Sequence, residues 1–562
     1  MIARDDALKA MAAEEFDLVV VGGGITGAGV ALDAASRGYS VALLERADYA
    51  SGTSSRSSKL VHGGLRYLQN FDLALVREAL LERQLMVALA PHLVRPLPLV
   101  VPAFEGARPD RLMGVGLNLY DVMSVADRRE ASQRLRSRSE SWSPERHRIV
   151  SGEEVVELLP AIAAREPTSG YLFYDCQTDD ARLVLTVLGE AERFGAVCAN
   201  RLNATSLLTR DGRACGVRAL DVESGAEFEL RAVNVVNATG VWADGLRPRE
   251  LLADQGSRRS LIGEAELPRI RPSRGTHLTL RHEDLPLVAG AIVPAGGGRS
   301  IFALPWLGRT LVGTTDNDYE GPLEHVPPAH EDIDYLLAAV NEFFAADLDP
   351  SDVTGAYAGV RPLIWGGDSK KSVDISRKAE LYEASSGMIT ITGGKLTTWR
   401  RMAKMTVDRL VEREAREAPC RTAEIPLGQP VGDEELPSVD GMGESSRAAL
   451  AARYGYGAHE VLAVAQERRG LAEPIQPGLP DLMAEVVIAA RREQARSVGD
   501  VLLRRTRLGL LAARDLCSEQ DGAVAQVSAL LGDELGWDES RRRLEAEGFR
   551  REAREEGILV QR

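Results

Sequence analysis

The segment from residue 16 to residue 45 constrains the fold of this chain more than any other stretch. It starts with the apolar run Phe16–Val21, which is typical of a strand buried on both faces of a parallel sheet. A glycine-rich turn, a helix over Ile25–Arg37 and a second strand over Ser40–Leu44 follow directly. This order predicts a nucleotide-binding strand–helix–strand unit at the start of a doubly wound α/β domain.

The turn in this segment carries three glycines, Gly22, Gly24 and Gly27, spaced as G-x-G-x-x-G. The first permits the tight turn, the second lets backbone approach a pyrophosphate, and the third lets the helix pack against the strand. Glu45 stands about 20 residues further on, where a carboxylate accepts hydrogen bonds from a ribose diol. The motif predicts an ADP-containing dinucleotide. By itself it does not choose between FAD and NAD, but its place at the start of the chain favours FAD.

Composition and charge exclude several classes of protein. A formal net charge of −15 over 562 residues argues against a nucleic-acid binder, while a local arginine pocket for an anionic substrate stays compatible with it. The five cysteines are scattered without CxxC spacing, so we expect neither a disulfide framework nor a metal site. No apolar run approaches the ~20 residues that span a bilayer, and the first residues lack a signal-peptide core. We therefore expect a cytoplasmic protein, or one peripheral to a membrane.

Three later segments predict further contacts with a nucleotide. The loop Ala50–Gln69 is rich in Ser, Thr and Gly and follows the second strand, where hydroxyl and N–H groups hold phosphates or a flavin edge. Asn234–Asp244 is an apolar strand followed by Ala-Thr-Gly. Gly387–Arg400 places paired glycines before a helix, which is the geometry of an anion site.

Periodicity predicts the elements between these segments. The spacing of leucines predicts a core helix over Asp72–Leu93. A strand near residue 171 leads into a helix that either Asp179 or Asp180 caps. Short alternating runs over Ala196–Val236, with a turn at residues 211–212, predict a small antiparallel sheet.

The motifs of this chain, taken in order, resemble those of a known enzyme family. They read GGGITGAG, SSKLVHGGLRYL, DDARLVL, NATGVWA, GTTD, GVRPL and GGKLTTWR. This set resembles the FAD-dependent, respiratory glycerol-3-phosphate dehydrogenases, and the helical tail with LLRRTRLGL is similar to that family's C-terminal domain. The resemblance implies an α/β fold with a Rossmann-like FAD-binding domain of glutathione-reductase type, an inserted α+β substrate domain and an all-α C-terminal domain.

These features divide the chain into predicted domains. A stretch rich in Pro, Gly and acids before residue 439 indicates a linker. The predicted boundaries are an N-terminal tail over 1–15, FAD-binding segments over 16–95, 171–270 and 354–418, substrate segments over 96–170 and 271–353, the linker over 419–438 and the helical domain over 439–562.

FAD is the expected cofactor, and the residues expected to hold it lie in the motifs described above. They come from the glycine turn, the acidic strand end, the serine-rich loop, the Ala-Thr-Gly segment and the paired glycines. The expected residues are Gly22, Gly24, Gly27, Glu45, Ser54, Ser55, Ser58, Lys59, Leu60, Gly63, Gly64, Ala238, Gly240, Gly393, Gly394, Leu396 and Thr397.

The substrate that the resemblance implies, glycerol 3-phosphate, carries a phosphate that needs fixed cations. Arginine suits this task because its planar fork matches the phosphate oxygens. The resemblance implies that Arg361 and Arg377 clamp the phosphate, and that Lys395 and Arg66 lie near substrate and flavin. Tyr67 is a further candidate for a hydrogen bond to substrate.

Oxidation at the C2 carbinol also needs a base for the hydroxyl proton, and histidine is the usual one. His277, in RGTHLTL, matches the active-site histidine of the family, with a structural histidine as the alternative. The resemblance places Arg361 and Lys395 beside it as catalytic residues. His62 is expected to orient the cofactor or to lie in the core.

The resemblance further implies where the electrons go. It indicates a membrane quinone as acceptor, a homodimer, and a position on the inner face of the cytoplasmic membrane. Two basic clusters are candidates for a face that docks on this membrane: Arg504, Arg505 and Arg507, and residues 541–543. The more frequent alternative for such clusters is a solvated helix face.

Three alternatives stay open at this stage. One is a glycerol-3-phosphate oxidase that uses oxygen, which the lack of an extra insertion in the substrate domain disfavours. Another is a flavin oxidoreductase of the same fold that acts on a 2-hydroxy acid or an amino acid. The third is a flavin-binding protein without turnover.

Overall fold

The computed structural model describes most of the chain, and two β-sheets organise it. The described residues are 3–64, 73–104, 114, 116–121, 123, 146–246, 269–296, 299–365, 379–518 and 522–560. Across these ranges, no helix combines the length and the apolar character that a membrane crossing requires.

The first sheet has eight strands within the described residues and contains the predicted nucleotide-binding unit. Its order is Ala379–Glu383, Ile389–Gly393, Glu227–Asn237, Glu15–Val21, Val41–Leu44 and Val197–Ala199. Arg213–Asp221 pairs with Glu227–Asn237, and Leu202–Arg210 pairs in turn with Arg213–Asp221. Glu15–Val21 pairs in parallel with both neighbours, because a helix carries the chain across to Val41–Leu44. The predicted parallel α/β domain is thus confirmed.

Helices cover both faces of the first sheet. On one face pack Ile25–Ser36, Leu73–Leu89, Asp180–Arg193 and Trp399–Glu414. On the opposite face lies the helix Arg4–Ala13, with Ala7 and Met11 fully buried. The helix Arg4–Ala13, which falls in the expected N-terminal tail over residues 1–15, is therefore part of this domain.

The second sheet has ten strands among the described residues. Its order is Asn317–Asp318, Arg269–Arg281, Arg309–Gly313, Ser300–Trp306, Gly290–Pro294, Arg95–Ala103, Ser169–Gln177 and Leu60–Val61, with Val353–Trp365 paired to Arg269–Arg281 and Arg148–Ser151 paired to Ser169–Gln177. The helices Gly152–Leu158 and His330–Phe344 share one apolar cluster with this sheet. The pairing is antiparallel except between Gly290–Pro294 and Arg95–Ala103.

Three strands of the second sheet come wholly or largely from segments that we expected in the FAD-binding domain, and the shortest, Leu60–Val61, lies in the predicted segment 16–95. Ser169–Gln177 extends into the predicted segment 171–270, and Val353–Trp365 falls almost wholly in the predicted segment 354–418. Val353–Trp365 pairs along its length with a strand some 80 residues earlier, Arg269–Arg281. Such distant pairing decides sheet membership, and local patterns do not reveal it.

After residue 438 the described chain is helical, as the resemblance implies. Its helices are Glu444–Tyr454, Ala458–Glu467, Met483–Arg492, Asp500–Arg505, Leu508–Leu511, Ala513–Leu516, Ala523–Leu535 and Glu539–Glu555. The segment 419–438, expected to be a linker, packs against the nucleotide-binding domain. Ile425 and Leu427 are buried there, and the Leu427 N–H donates to the carbonyl of Leu89 at 2.8 Å.

The basic cluster Arg504, Arg505 and Arg507 is buried, with side chains at most 6% exposed. Its guanidinium groups pair with two carboxylates of the nucleotide-binding domain, Asp48 and Asp180. The hypothesis that this cluster forms a docking face is therefore wrong. The cluster instead holds the C-terminal domain against the first sheet, because buried charges require close partners of opposite sign.

Candidate active site

A cavity of about 1680 Å³ lies where the two sheets and the helix Glu539–Glu555 meet. Most of the expected site residues line it: Gly22, Gly24, Glu45, Ser54, Ser58, Leu60, Gly64, Ala238, Gly240, His277, Arg361, Gly393, Gly394, Lys395, Leu396 and Thr397. Gly27, Ser55, Lys59 and Gly63 are described but stand behind this lining. Arg66, Tyr67 and Arg377 lie outside the described residues.

The glycine turn forms one end of the cavity and has room only for glycine. Gly22 has a φ of 114°, and a Cβ there would lie 2.6 Å from the Ala238 carbonyl oxygen. A Cβ at Gly27 would overlap the Gly22 carbonyl oxygen, so the third glycine brings helix and strand together. A Cβ at Gly24 would fill space beside Ser54, 3.0 Å from its Oγ. The turn leaves a cradle lined by backbone, which fits a pyrophosphate.

Two side chains are already held in this cradle by backbone N–H groups. Glu45 accepts hydrogen bonds from the N–H of Gly23 at 2.8 Å and of Ala47 at 2.9 Å, and burial raises the pKa of its carboxyl. Ser54 Oγ accepts from the N–H of Ile25 at 2.9 Å. One of the N–H groups at the start of the helix Ile25–Ser36 is thus bonded to the serine-rich loop.

The paired glycines close the opposite wall. Gly393 and Gly394 both adopt positive φ, at 75° and 69°. Lys395 follows them, lines the cavity, and caps a short turn over Leu396–Thr398 that leads into the helix Trp399–Glu414. The predicted order of strand, glycines and helix is confirmed, with this extra turn between glycines and helix.

His277 lies in the second sheet at the edge of the cavity and is only 2% exposed. Its Nε2 is 2.8 Å from Ser58 Oγ, and its ring stacks on Tyr357 with centroids 4.8 Å apart and planes 11° from parallel. Burial, followed by the charges of Lys59 and Arg361, holds the pKa of His277 well below its usual value. The imidazole is therefore neutral at neutral pH and available as a base.

Arg361 lies near His277 on the strand Val353–Trp365, and its side chain is 24% exposed. Its guanidinium donates to Thr314 Oγ1 at 3.2 Å and to the Thr315 carbonyl at 3.3 Å, and lies 3.4 Å from Asp316 Oδ1. A Cβ at Gly275 would lie 2.5 Å from this guanidinium, so the glycine makes its position possible. The guanidinium therefore places a positive charge on the cavity wall.

Behind Ser58 lies a buried group of charges, which we call the Asp180 cluster and define as Lys59, Asp180 and Arg507. All three side chains have 0% exposure. Asp180 accepts from Lys59 Nζ at 2.8 Å and from Arg507 Nη2 at 2.9 Å. Burial and the charge of Arg507 lower the pKa of Lys59 to about 7, whereas both cations lower the pKa of Asp180. Lys59 was expected to hold the cofactor. Its side chain instead lies beneath the backbone of the loop that carries Ser58.

The sequence analysis missed three residues that shape this site. Tyr357 supports the His277 ring, Gly275 accommodates Arg361, and Asp180 organises the charges behind Ser58. Asp180 was considered only as a possible helix cap, and Asp179 makes those capping bonds. The signal for Asp180 was its place within DDARLVL, since a second acid next to the capping one needs its own partner.

The chain matches two protein families along its length. Residues 17–409 match a family described as FAD dependent oxidoreductase. Residues 388–542 match one described as C-terminal domain of alpha-glycerophosphate oxidase. The first match spans both sheets, and the second covers the helical part.

Individual proteins are similar over nearly the whole chain. Glycerol-3-phosphate dehydrogenase 1 of Mycobacterium tuberculosis is 38% identical over 509 residues, which cover 88% of this chain and 92% of the relative. Aerobic glycerol-3-phosphate dehydrogenase of Bacillus subtilis is 34% identical over 525 residues, covering 90% and 89%. The solved structure of the glycerol-3-phosphate dehydrogenase from Bacillus halodurans complexed with FAD is 28% identical, with a TM-score of 0.75 over 100% of this chain and 98% of its own. The chain therefore belongs to the FAD-dependent oxidoreductase family and, within it, to the glycerol-3-phosphate dehydrogenases.

Proposed function

We propose that this protein oxidises sn-glycerol 3-phosphate to dihydroxyacetone phosphate with FAD as cofactor. The observation that supports this most is that a neutral histidine and an arginine guanidinium line the same cavity as the glycine turn. The names of relatives at 34% and 38% identity point to the same substrate. Bound FAD would supply the hydride acceptor for C2 of the substrate.

In this proposal Arg361 binds the substrate phosphate. Its guanidinium lines the cavity and lies 3.4 Å from Asp316 Oδ1. A dianionic phosphate offers two oxygens to the guanidinium fork, which is a stronger contact than one with a single carboxylate oxygen at that distance. Lys395 adds a second cation on the cavity wall, and we propose Arg66, Tyr67 and Arg377 as further substrate contacts.

His277 accepts the proton of the C2 hydroxyl. We propose that the accepting atom is Nε2. This nitrogen faces Ser58 Oγ, and both residues line the cavity. Burial keeps the ring neutral before the reaction. Stacking on Tyr357 limits ring rotation, so the base keeps one orientation toward the cavity.

For the electron acceptor we propose a membrane quinone, with the protein as a homodimer on the inner face of the cytoplasmic membrane. The Bacillus subtilis relative is named an aerobic glycerol-3-phosphate dehydrogenase, which supports a respiratory acceptor. Oxygen is the competing acceptor, since residues 388–542 match a domain described from alpha-glycerophosphate oxidase. Enzymes such as glycine oxidase share the fold at 19% identity, which carries no argument about substrate.

Anaerobic reduction of the bound flavin tests this proposal. Purified protein that holds FAD is mixed with sn-glycerol 3-phosphate without oxygen, and the visible flavin band is followed. We expect rapid bleaching with this substrate and none with lactate or glycine. Persistent colour with glycerol 3-phosphate would disprove the substrate assignment.

A second step tests the electron acceptor. Either air or a soluble quinone is added to the reduced protein, and the rate at which the flavin colour returns separates oxidase from dehydrogenase.

A further inference from the structure

The loop Ser57–Lys59 touches the proposed base and is anchored by the C-terminal domain. Ser58, at its centre, makes the hydrogen bond to His277 Nε2 at 2.8 Å. The residues on both sides of Ser58 are tied to one carboxylate: Asp180 accepts from Ser57 N at 3.0 Å, from Ser57 Oγ at 2.7 Å and from Lys59 Nζ at 2.8 Å. The position of the Ser58 hydroxyl therefore depends on where Asp180 lies.

Asp180 is in turn fixed by Arg507, a residue of the C-terminal domain. The Arg507 guanidinium donates from Nη2 to Asp180 Oδ1 at 2.9 Å and to the Ser55 carbonyl at 2.8 Å, and from Nη1 to the Leu503 carbonyl at 2.7 Å. One guanidinium thus bridges the preceding helix Asp500–Arg505, the carboxylate and the serine-rich loop. A lysine offers no such fork and cannot make these contacts together.

A second restraint on His277 returns to the same loop. Tyr357, on which the imidazole stacks, donates its hydroxyl to the Ser57 carbonyl at 2.8 Å. The loop therefore fixes His277 in two ways. Ser57 holds the tyrosine that sets the plane of the imidazole ring, and Ser58 makes the hydrogen bond to Nε2. If this loop shifted, both would change at once.

The backbone at the two cations of the Asp180 cluster supports a constrained arrangement. Lys59 and Arg507 both adopt positive φ, at 60° and 69°, in the region that glycine prefers. Such conformations cost free energy and persist where surrounding contacts hold them. Here both residues belong to the cluster that anchors the loop.

We propose that Arg507 is a positioning residue for His277, acting through Asp180 and the Ser57–Lys59 loop. This rests on the proposed role of His277 as the base. It gives the C-terminal domain a task in the reaction, although no residue of that domain is proposed to touch the substrate. Misplacement of a catalytic group by about 1 Å costs on the order of 100-fold in rate, so a displaced loop should lower kcat strongly.

A double-mutant cycle on Arg507 and Ser58 tests the proposal. Arg507→Lys, Ser58→Ala and the combined variant are compared with the wild-type holoenzyme for kcat, KM and FAD content. We expect Arg507→Lys to lower kcat by about 10–100-fold while KM and FAD content stay within about twofold. In the Ser58→Ala background the same substitution should cost at least about threefold less in kcat than in wild type, because part of its effect passes through the Ser58 hydroxyl. An equal loss in both backgrounds would overturn the proposal.

Arg505→Lys is the matched control. Arg505 lies in the same helical segment with 0% exposure and bridges to the nucleotide-binding domain, but its partner is Asp48. The fold-losses in kcat caused by Arg505→Lys and by Ser58→Ala should therefore multiply in the combined variant. If Arg507→Lys does not fold, Ser57→Ala replaces it in the cycle, since this change removes the hydroxyl that donates to Asp180 and accepts from the Lys59 N–H within the same loop. The same dependence on Ser58 is expected, and its absence would overturn the proposal.

A readout without turnover separates this inference from the proposed function. Diethyl pyrocarbonate modifies accessible neutral imidazole, and the modification of the peptide containing His277 is followed by mass spectrometry. We expect faster modification in Arg507→Lys and Ser58→Ala than in wild type, and an unchanged rate in Arg505→Lys. If glycerol 3-phosphate does not reduce the flavin of the wild-type protein, the proposed function is wrong. The rate of His277 modification still tests whether Arg507 positions His277, because it needs no turnover. An unchanged rate in Arg507→Lys would overturn this inference.

Discussion

At the scale of residues, the site depends on one guanidinium on the cavity wall and one imidazole kept neutral. Arg361 lines the cavity, and His277 has a pKa lowered by burial and by neighbouring cations. The two effects are linked, because Arg361 is one of those cations. A single substitution therefore tests both substrate binding and proton transfer.

Replacing Arg361 with alanine should weaken substrate binding. Loss of a buried charge that pairs with substrate costs about 2–5 kcal/mol, and we expect it as a higher KM for glycerol 3-phosphate. Steady-state kinetics with a soluble electron acceptor measure this effect. Arg271→Ala is the control, since Arg271 lies on the neighbouring strand and pairs with Asp318 at 2.6 Å. An unchanged KM in Arg361→Ala would remove this residue from the phosphate site.

The same variant should shift the pH dependence of kcat/KM. In wild type the acidic limb, where the base becomes protonated, should lie well below pH 6.5, because the pKa of His277 is lowered. Removal of the Arg361 charge raises that pKa, so the limb should move to higher pH. His277→Asn should abolish the limb and lower kcat by about 10²–10⁴-fold. If the acidic limb of the kcat/KM profile lies at the same pH in Arg361→Ala as in wild type, the Arg361 charge does not lower the pKa of His277.

At the scale of elements, the glycine turn and the second sheet differ in how far they can be predicted from sequence. The turn depends on local sterics, so its strand and helix could be inferred from neighbouring residues. For the helix Asp180–Arg193, sequence left the cap open between Asp179 and Asp180, and the structure assigns it to Asp179. The strand Val353–Trp365 could not be assigned to its sheet, because its partner lies far away in the chain. The same holds for Tyr357 and Arg507, whose partners at the site are distant in sequence.

Gly27→Ala tests the turn as an element. The added methyl would overlap the Gly22 carbonyl oxygen, so the helix has to move from the strand. We expect a loss of about 1–3 kcal/mol in the free energy of unfolding and a lower FAD-to-protein ratio, measured by urea denaturation and visible absorbance. Gly189→Ala, in the helix Asp180–Arg193, meets nothing within 4 Å and should stabilise by up to about 1 kcal/mol. Equal effects of the two changes would refute the close-packing argument.

At the scale of the whole molecule, buried ion pairs join the C-terminal domain to the nucleotide-binding domain. Arg504 and Arg505 both pair with Asp48, and Glu493 pairs with Arg182. The motif LLRRTRLGL suggested an exposed basic patch because sequence shows charge without showing burial. Only the folded contacts reveal that these charges face inward.

Asp48→Ala should destabilise the whole molecule. It would leave two buried guanidinium groups without this partner, at a cost of about 3–5 kcal/mol in the free energy of unfolding. Urea denaturation of the holoenzyme measures the loss. Glu467→Ala is the control, because Glu467 is 46% exposed and pairs with Arg491 at the surface, where such pairs contribute at most about 1 kcal/mol. A similar small change in both variants would show that the buried contacts do not hold the domains together.

These buried contacts also limit how the protein can be recombined with its relatives. The arginines of the C-terminal domain and the aspartates of the nucleotide-binding domain, Asp48 and Asp180, form complementary halves of one interface. A chimera that takes its C-terminal domain from another protein inherits only one half. Such exchanges should work where both halves carry the same charges, and the two sets of positions should change together in evolution.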